Sequence, residues 1–294
     1  MIAGPGRDAL VHVPGALVRG RIDAHLDTRP LHGGLTNRSF VVTTTAGRYV
    51  VRLGTAFDTL LAIDRSAETA AQRLAAAAGI APAIEYADAA SGLLITHYVE
   101  GRGWTPADFA AAAQIDRLGE RLRQLHALET EAAGGLVDLD PVARAREYVA
   151  QIVAAAPDER AALERLLVEA ERHRDESGGG TRAPCLVHSD LHGSNLVDGR
   201  ALWLIDWEYA ALADPLHDVA SVLAYHPQAA PFAPRLLAAL GLAAEPRALA
   251  AALWLFQLLV HLWYRARRVA VEPSAADLAA EQGAARALVH NRNL

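Results

Sequence analysis

An apolar strand runs into a polar loop at Leu186-Val187-His188-Ser189-Asp190, and Asn195 follows the aspartate by five residues. Two short apolar runs then flank the dipeptide Asp198-Gly199, and the second run ends at Asp206. Asp-Gly between apolar runs is typical of a tight β-hairpin. The sequence therefore predicts a hairpin that returns Asp206 to the neighbourhood of Asp190 and Asn195.

Three oxygen-bearing side chains would converge where this hairpin meets the loop. Two carboxylates and one carboxamide suit a hard divalent cation such as Mg²⁺, and a carboxylate that does not bind the metal can accept a proton. We expect Asn195 and Asp206 to be metal ligands and Asp190 to be the catalytic residue.

The spacing H-x-D-x-x-x-x-N, followed by an apolar strand that ends in aspartate, resembles the catalytic loop and metal-binding aspartate of the kinase-like phosphotransferases. Two runs carry the resemblance: His188-Ser189-Asp190-Leu191-His192-Gly193-Ser194-Asn195 and Ile205-Asp206-Trp207-Glu208-Tyr209-Ala210. They are most similar to the choline/ethanolamine kinase and thiamine kinase-like branch of the aminoglycoside phosphotransferase family. Protein kinases instead carry Asp-Phe-Gly at the second run.

This resemblance implies an α+β, two-lobed, protein-kinase-like fold with a small β-rich N-terminal lobe and a larger, mostly helical C-terminal lobe. It places the nucleotide-binding lobe in residues 1–96, the hinge in 97–103 and the catalytic, acceptor-binding lobe in 104–294. The 294 residues, 52% of them hydrophobic, are enough to bury the cores that such a fold needs.

Charge and composition limit the partners. A formal net charge of −6 gives no basic field for nucleic acid, so we expect no nucleic-acid partner. All 28 basic residues are arginines. Because kinases commonly place a lysine on the nucleotide phosphates, either an arginine takes that role here or no residue does. The single cysteine, Cys185, rules out an internal disulfide and fits a reducing cytoplasm.

Neither end of the chain predicts a membrane segment. Residues 1–20 lack a basic segment followed by a continuous apolar core, so we expect no cleaved signal peptide. The apolar run 248–264 is short and interrupted by Gln257 and His261, which favours a buried helix over a membrane span. The oligomeric state does not follow from the sequence.

A glycine-bearing turn precedes a β-hairpin near the N-terminus. By itself the pair Gly33-Gly34 reads as an ordinary turn. Together with the later loop, residues 33–37 resemble the nucleotide loop of the family, in which small residues let backbone amides approach phosphates. The predicted nucleotide-binding residues of this loop are Gly33, Gly34, Leu35, Thr36 and Asn37.

The resemblance also assigns residues to the rest of the nucleotide site. Arg52 occupies the position of the phosphate-contacting basic residue, and Glu68, in a D-R-x-x-E run, would be its ion-pair partner. A solvated strand arginine and a solvated helix charge are the alternatives. The segment His97, Tyr98 and Val99 resembles the hinge, where backbone groups would bind adenine.

Two further residues would support the catalytic loop. Asp218 matches a family aspartate that anchors this loop by hydrogen bonding, and we expect His188 to be structural as well. Family members often have an aromatic residue where His217 stands.

The acceptor site would use Glu208 and one face of a late helix. Trp254, Gln257, His261 and Tyr264 recur at three-four-three spacing and therefore share a helical face. In choline kinases the comparable helix carries tryptophans that hold a trimethylammonium group by cation–π attraction. An aromatic helix that packs in the core with two satisfied polar groups is the alternative.

These assignments predict an enzyme that uses ATP and Mg²⁺ to phosphorylate a small, cationic alcohol of the choline, ethanolamine or thiamine type. An aminoglycoside or sugar phosphotransferase of the same fold is the alternative. A metal hydrolase built from His188, Asp190 and His192, and a catalytically inactive nucleotide-binding protein, are rivals from other classes. The inactive protein would have lost Asp190, Asn195 or Asp206, and all three are present.

Overall fold

The computed structural model describes residues 25–31, 36–55, 57–131, 133–178 and 180–290. An antiparallel sheet forms the N-terminal part, in the strand order β1-β2-β3-β5-β4. Helix α1 (Arg65–Ala77) lies between β3 and β4 in the chain. The strands are β1 His25–Leu31, β2 Arg38–Thr44, β3 Gly47–Leu53, β4 Ile84–Asp88 and β5 Leu93–His97.

The remainder of the described chain is mostly helical. Its helices are α2 Pro106–Phe109, α3 Ala112–His126, α4 Pro141–Ala155, α5 Arg160–Glu176, α6 Leu216–Tyr225, α7 Ala233–Ala239, α8 Pro246–Arg268 and α9 Ala275–His290. Its short strands are β6 Arg102–Gly103, β7 Cys185–Val187, β8 Leu196–Asp198, β9 Leu202–Leu204 and β10 Ala211–Ala213. The division into an antiparallel sheet followed by a helical part agrees with the predicted two-lobed α+β fold.

Along strand β2, buried side chains alternate with more exposed ones, as expected for a sheet with one buried face. Phe40 and Val42 on β2 face the same side as Tyr49 and Val51 on the paired strand β3, and all four are buried. Together with residues of β5 they form one apolar cluster. This packing holds the hairpin rigid, so the residues at its ends keep fixed positions.

Two larger apolar clusters lie in the helical part. The first surrounds the catalytic loop and includes Leu191, Trp207 and Val219, all fully buried, packed with α3. The second joins α4, α5 and α8. A loop that carries buried apolar residues between its polar ones is held by packing as well as by hydrogen bonds.

The predicted hairpin after the catalytic loop is present. Strands β8 and β9 pair antiparallel, with Leu196 opposite Leu204 and Asp198 opposite Leu202. The backbone N–H of Ile205 donates to the carbonyl oxygen of Asn195 at 3.0 Å. This register brings Asp206, the next residue, beside the loop that contains Asn195.

Helix α8 is, among the described residues, the one helix that is long and apolar enough by length and composition to cross a membrane. It packs against α4, α5 and α6, and its residues Trp254, Leu258 and Leu262 are fully buried among them. This placement is that of a core helix, as the interrupted apolar run predicts.

Gly199 closes the β8–β9 hairpin against the segment that joins the two parts of the chain. A Cβ atom at this position would overlap the carbonyl oxygen of Glu100. Gly199→Ala therefore forces the backbone apart, and we expect the free energy of unfolding to fall by about 1–3 kcal/mol in chemical denaturation. Gly134→Ala is the matched control, because a Cβ atom there would have no neighbouring atom within 4 Å. Equal stability of the two variants would contradict this close approach.

Candidate active site

A single buried carboxylate, that of Asp218 on α6, anchors the predicted catalytic loop by hydrogen bonds. Its two oxygens accept the backbone N–H of His188, at 3.0 and 3.1 Å, and one accepts that of Ser189, at 2.9 Å. The Nε2 atom of His126 lies 2.9 Å from the other oxygen. Burial alone would raise the pKa of Asp218, but His126 and these N–H donors outweigh it and hold the pKa below its ordinary value.

The anchored loop has a strained backbone. Ser189 has φ +67°, a left-handed conformation that a residue with a Cβ rarely adopts. A strained backbone conformation persists only where surrounding interactions hold it, and such conformations are common at functional sites. Here the two N–H bonds to Asp218 hold the turn, and the turn points the next residue, Asp190, into the cavity.

His188 joins the loop to the strand that precedes Asp206. Its Nε2 atom lies 3.0 Å from the carbonyl oxygen of Ile205. Because a carbonyl oxygen can only accept a hydrogen bond, the ring proton is on Nε2. Burial lowers the pKa of His188, so the ring is neutral. This placement is the structural one that the sequence predicts.

Asp190 and Asn195 meet directly. The Nδ2 group of Asn195 donates to the backbone oxygen of Asp190 at 3.0 Å and to its Oδ2 at 2.9 Å. The Nε2 atom of His192 lies 3.3 Å from the same Oδ2. Burial opposes ionisation, but the hydrogen bond and the charge of His192 more than compensate and keep the pKa of Asp190 below its ordinary value. Asp190 is thus an ionised carboxylate that can accept a hydrogen bond from a hydroxyl group.

Asp206 also has a left-handed backbone, with φ +64°. Its Oδ1 lies 3.4 Å from Nη1 of Arg52. Burial and the neighbouring charge of Glu208 raise the pKa of Asp206 to about 8, although Arg52 opposes the shift. Burial also raises the pKa of Glu208. Because Glu208 accepts from a guanidinium and two other donors, we place the proton of this pair on Asp206.

Arg52 and Glu68 form the ion pair that the resemblance implies. Both Nη atoms of Arg52 contact the two carboxylate oxygens of Glu68, a bidentate arrangement that suits the planar guanidinium. The side chains are 9% and 1% exposed. A buried charge needs such a partner, so Glu68 fixes Arg52 beside Asp206.

Arg65, which the sequence analysis left without a role, is the centre of the same network. It contacts the carboxylates of Asp58, Glu68 and Glu208, and it donates to Oδ1 of Asn37 at 2.8 Å. Its side chain is only 5% exposed. Arg65 was visible within the D-R-x-x-E run, but no sequence pattern links it to Glu208, 143 residues away.

The nucleotide loop is described from Thr36 onward. Thr36 and Asn37 donate side-chain hydrogen bonds to Glu208 at 2.7 and 2.8 Å. The predicted contacts of Gly33, Gly34 and Leu35 lie outside the described residues. Glu208, predicted as an acceptor ligand, lines the cavity, but both of its oxygens are occupied.

One cavity of about 950 Å³ collects most of the predicted site residues. The predicted hinge residues His97, Tyr98 and Val99 line it. The N–H of Tyr98 donates to the carbonyl oxygen of Arg48, so that group is already used. The predicted residues that line the cavity are Thr36, Asn37, Arg52, His97, Tyr98, Val99, Asp190, Asn195, Asp206, Glu208 and Tyr264.

Helix α8 turns a different face to the cavity from the one predicted. Trp254 is fully buried and stacks on His173 with ring centroids 4.2 Å apart. Gln257 and His261, each 8% exposed, do not line the cavity either. At about 100° per residue, the cavity-facing stripe lies about a third of a turn away from these three. The residues of α8 that line the cavity are Phe256, Leu259, Val260, Trp263 and Tyr264.

Tyr264 lines the cavity because it lies at the edge that both faces of α8 share. Aromatic residues that the sequence analysis did not assign complete this wall. The indole Nε1 of Trp263 donates to the hydroxyl of Tyr209 at 2.6 Å, which joins α8 to the segment after Asp206. Tyr148 and Tyr225 also line the cavity. No sequence signal selected Trp263, because α8 is apolar around most of its circumference, and the two tyrosines come from other helices.

The donor set fits Mg²⁺ held together with phosphates. Asn195 turns its amino group toward Asp190, which leaves its amide oxygen for a metal, and a divalent cation could displace the proton of Asp206. Mg²⁺ is commonly held by one or two carboxylates plus substrate phosphates. In the described part of the chain no group of three or more His, Cys, Asp or Glu residues could hold a metal. That observation disfavours the hydrolase built from His188, Asp190 and His192.

The sequence profile of the phosphotransferase enzyme family, APH, matches residues 27–252. The chain belongs to this family. Among solved structures, a choline/ethanolamine kinase family protein from Mesorhizobium loti is 25% identical with a TM-score of 0.73, covering 96% of this chain and 92% of that one. The choline kinase LicA from Streptococcus pneumoniae is 18% identical with a TM-score of 0.76, covering 97% and 99%.

A spectinomycin phosphotransferase, APH(9)-Ia, also has this fold, at 14% identity and a TM-score of 0.62, with 95% and 97% of the chains covered. No curated protein sequence matches the chain. Membership of the phosphotransferase enzyme family makes this protein a phosphotransferase that acts on hydroxyl groups, and the neighbours confirm the kinase-like fold.

Asp218→Asn should weaken both the fold and the activity of this phosphotransferase. One amide oxygen cannot replace two carboxylate oxygens that accept two N–H groups and a histidine. We expect the free energy of unfolding to fall by about 3 kcal/mol and turnover to fall about 100-fold, because Asp190 shifts. Asp116→Asn, which removes an exposed ion pair with Arg235, is the control and should change neither quantity appreciably. Denaturation and phosphotransfer assays at parental values for Asp218→Asn would refute the anchoring role.

Proposed function

We propose that this phosphotransferase is an ATP-dependent kinase that transfers the γ-phosphate to the hydroxyl of a small alcohol with one cationic or aromatic group. One observation carries the proposal. The ionised carboxylate of Asp190 lines a single cavity together with the hinge residues and an aromatic wall. That cavity can hold a nucleotide and an acceptor with Asp190 at the place where they meet.

The donor side of the cavity supports a nucleotide. Backbone groups of His97 and Val99 are the proposed partners of adenine, and the loop at Thr36 and Asn37 covers the phosphates. A structure of LicA in complex with AMP shows that a neighbour of this fold binds a nucleotide. Arg52, fixed by Glu68, supplies positive charge near the phosphates.

Asn195 and Asp206 are the proposed ligands of Mg²⁺. When bound, the ion neutralises phosphate charge as the phosphoryl group transfers. Burial and the charge of Glu208 leave a proton on Asp206 when no cation is bound. A divalent cation held there would displace that proton, so we expect ATP to bind together with the metal.

Asp190 is the proposed base. The hydroxyl oxygen of the acceptor bonds to the γ-phosphorus, the bond from that phosphorus to the bridging oxygen breaks, and ADP leaves. The hydroxyl proton passes to Asp190. Because the transition state of phosphoryl transfer is loose, a carboxylate with a low pKa serves mainly to orient the hydroxyl. The low pKa of Asp190 agrees with that role.

The acceptor wall supports a compact cation or an aromatic ring. Its rings offer cation–π attraction worth about 0.5–2 kcal/mol each. The aromatic residues of this wall are Tyr148, Tyr209, Tyr225, Phe256, Trp263 and Tyr264. Choline, ethanolamine and thiamine have the required combination of one hydroxyl with a cationic part.

A polycationic aminoglycoside is the less supported acceptor, because few carboxylate oxygens of the described cavity lining remain unused. Glu208 accepts from Thr36, Asn37 and Arg65, and Asp190 and Asp206 serve the transfer itself. The exposed Asp64 caps α1 through Oδ1, which leaves only its second oxygen for a further ammonium group. Several ammonium groups would each need a partner.

A reducing, ATP-containing compartment suits this activity, and we propose the cytoplasm. The single cysteine, Cys185, is consistent with it. Burial raises the pKa of the Cys185 thiol, so it stays protonated and takes no part in the chemistry.

The test is a panel of small alcohols incubated with the purified protein, ATP and Mg²⁺, with ADP release and product mass measured. We expect choline, ethanolamine or thiamine to be phosphorylated, and sugars and spectinomycin to remain unchanged. Asp190→Asn should lower turnover about 10²- to 10⁴-fold, while the affinity for ATP stays near the parental value. Phosphorylation of neutral sugars alone would refute the acceptor class, and parental turnover of Asp190→Asn would refute the mechanism.

A further inference from the structure

We propose that Glu208 forms a latch between the two lobes. In this latch, hydrogen bonds to Glu208 hold Thr36 and Asn37 of the predicted nucleotide loop against the segment that contains Asp206, the proposed metal ligand. The latch sets how long the nucleotide stays bound. This inference rests on the proposed function, because it concerns the same nucleotide site, and it replaces the predicted role of Glu208 as an acceptor ligand.

The contacts of Glu208 cross the two lobes. Oε1 accepts from the hydroxyl of Thr36 at 2.7 Å, and Oε2 accepts from Nδ2 of Asn37 at 2.8 Å. Nη1 of Arg65 lies 3.1 Å from Oε2. These donors belong to the N-terminal part of the chain, more than 140 residues before Glu208. These contacts therefore stabilise the tertiary arrangement of the two lobes and not a local helix or strand.

Asn37 works as a relay within the latch. Its Oδ1 accepts from Nη2 of Arg65 at 2.8 Å, while its Nδ2 donates to Glu208. The two bonds assign the amide orientation, because only an oxygen can accept from a guanidinium. Arg65 thus holds Glu208 directly and also through Asn37, and the loop cannot move without breaking bonds to both.

Burial separates a latch from a ligand-binding carboxylate. The side chain of Glu208 is 3% exposed and that of Arg65 5% exposed. A carboxylate whose oxygens already accept three donors has little capacity left for an acceptor cation. Glu208 nevertheless lies two residues after Asp206, so any movement of the latch displaces the metal-binding segment.

The latch must open for a nucleotide to leave. Thr36 and Asn37 line the same cavity as Arg52 and the predicted hinge residues, and we place them over the proposed phosphates when the latch is closed. Lids of this kind often limit turnover through product release. Weakening the latch should therefore speed the dissociation of ADP.

The test measures the dissociation rate of a fluorescent ADP analogue from the full chain with Mg²⁺, by stopped-flow chase with unlabelled ADP. No acceptor is needed, so the result does not depend on the acceptor class. Thr36→Val removes the hydroxyl donor at nearly constant shape, and Glu208→Gln removes the charge. We expect the rate to rise roughly 10-fold for Thr36→Val and 10- to 100-fold for Glu208→Gln, as for the loss of one buried bond to a charged group.

Two further variants separate the latch from a general loss of structure. Thr36→Ser keeps the hydroxyl and should restore the parental dissociation rate. Glu131→Gln, which changes an exposed carboxylate between α3 and α4, should leave the rate unchanged. In the double variant Thr36→Val with Glu208→Gln, the rate should exceed that of Glu208→Gln by much less than the effect of Thr36→Val alone, because both substitutions weaken the one bond between Thr36 and Glu208.

Each outcome decides the proposal. Parental dissociation rates in Thr36→Val and Glu208→Gln would overturn the latch, as would multiplicative effects in the double variant. A Glu208→Gln protein in which only the Michaelis constant of the acceptor rises would return Glu208 to the role of acceptor ligand. If Glu208→Gln fails to fold, Thr36→Val and its serine counterpart decide alone. Failure of the alcohol panel together with the expected rate changes would refute the proposed function and leave the latch intact.

Discussion

Two buried guanidinium groups surrounded by four carboxylates are the constraint on which the rest of the structure depends. Arg52 and Arg65 contact Asp58, Glu68, Asp206 and Glu208, which come from both lobes. Buried charges are tolerated only when paired, so the lobes must stay in the one arrangement that pairs them. Burial and the charge of Glu208 raise the pKa of Asp206 to about 8 beside the proposed phosphates. The same network thus fixes the lobes and surrounds the proposed metal and nucleotide site.

Much of this arrangement was predictable because its determinants are local. The loop from His188 to Asn195 and the hairpin that ends at Asp206 follow from an apolar strand, an Asp-Gly turn and a second apolar strand. The pair Arg52–Glu68 followed from the resemblance of two separate runs. In each case a residue had a fixed place within a short motif, and the fold brings whole motifs together.

The acceptor wall was not predictable in the same way, because it depends on which face of a helix is turned inward. Helix α8 is apolar around most of its circumference, so its periodicity does not distinguish the stripe of Trp254 from that of Trp263. The packing of α4, α5 and α6 on it makes that choice. The partners of Glu208 had no sequence signal either, since its bonds to Thr36 and Asn37 span more than 170 residues. Long-range pairing of buried polar groups becomes visible only once the lobes are placed.

The central claim is the proposal that Mg²⁺ displaces the proton of Asp206 and binds the nucleotide there, and calorimetric titration of ATP with and without Mg²⁺ tests it most directly. Asp206→Asn is the informative variant, because asparagine tolerates the left-handed backbone of this position and replaces the carboxylate that would bind the metal. In the parent, Mg²⁺ should strengthen ATP binding by about 10-fold or more, an effect of roughly 1.4 kcal/mol. In Asp206→Asn, ATP should gain little from the metal. An equal gain from Mg²⁺ in both proteins would contradict the account.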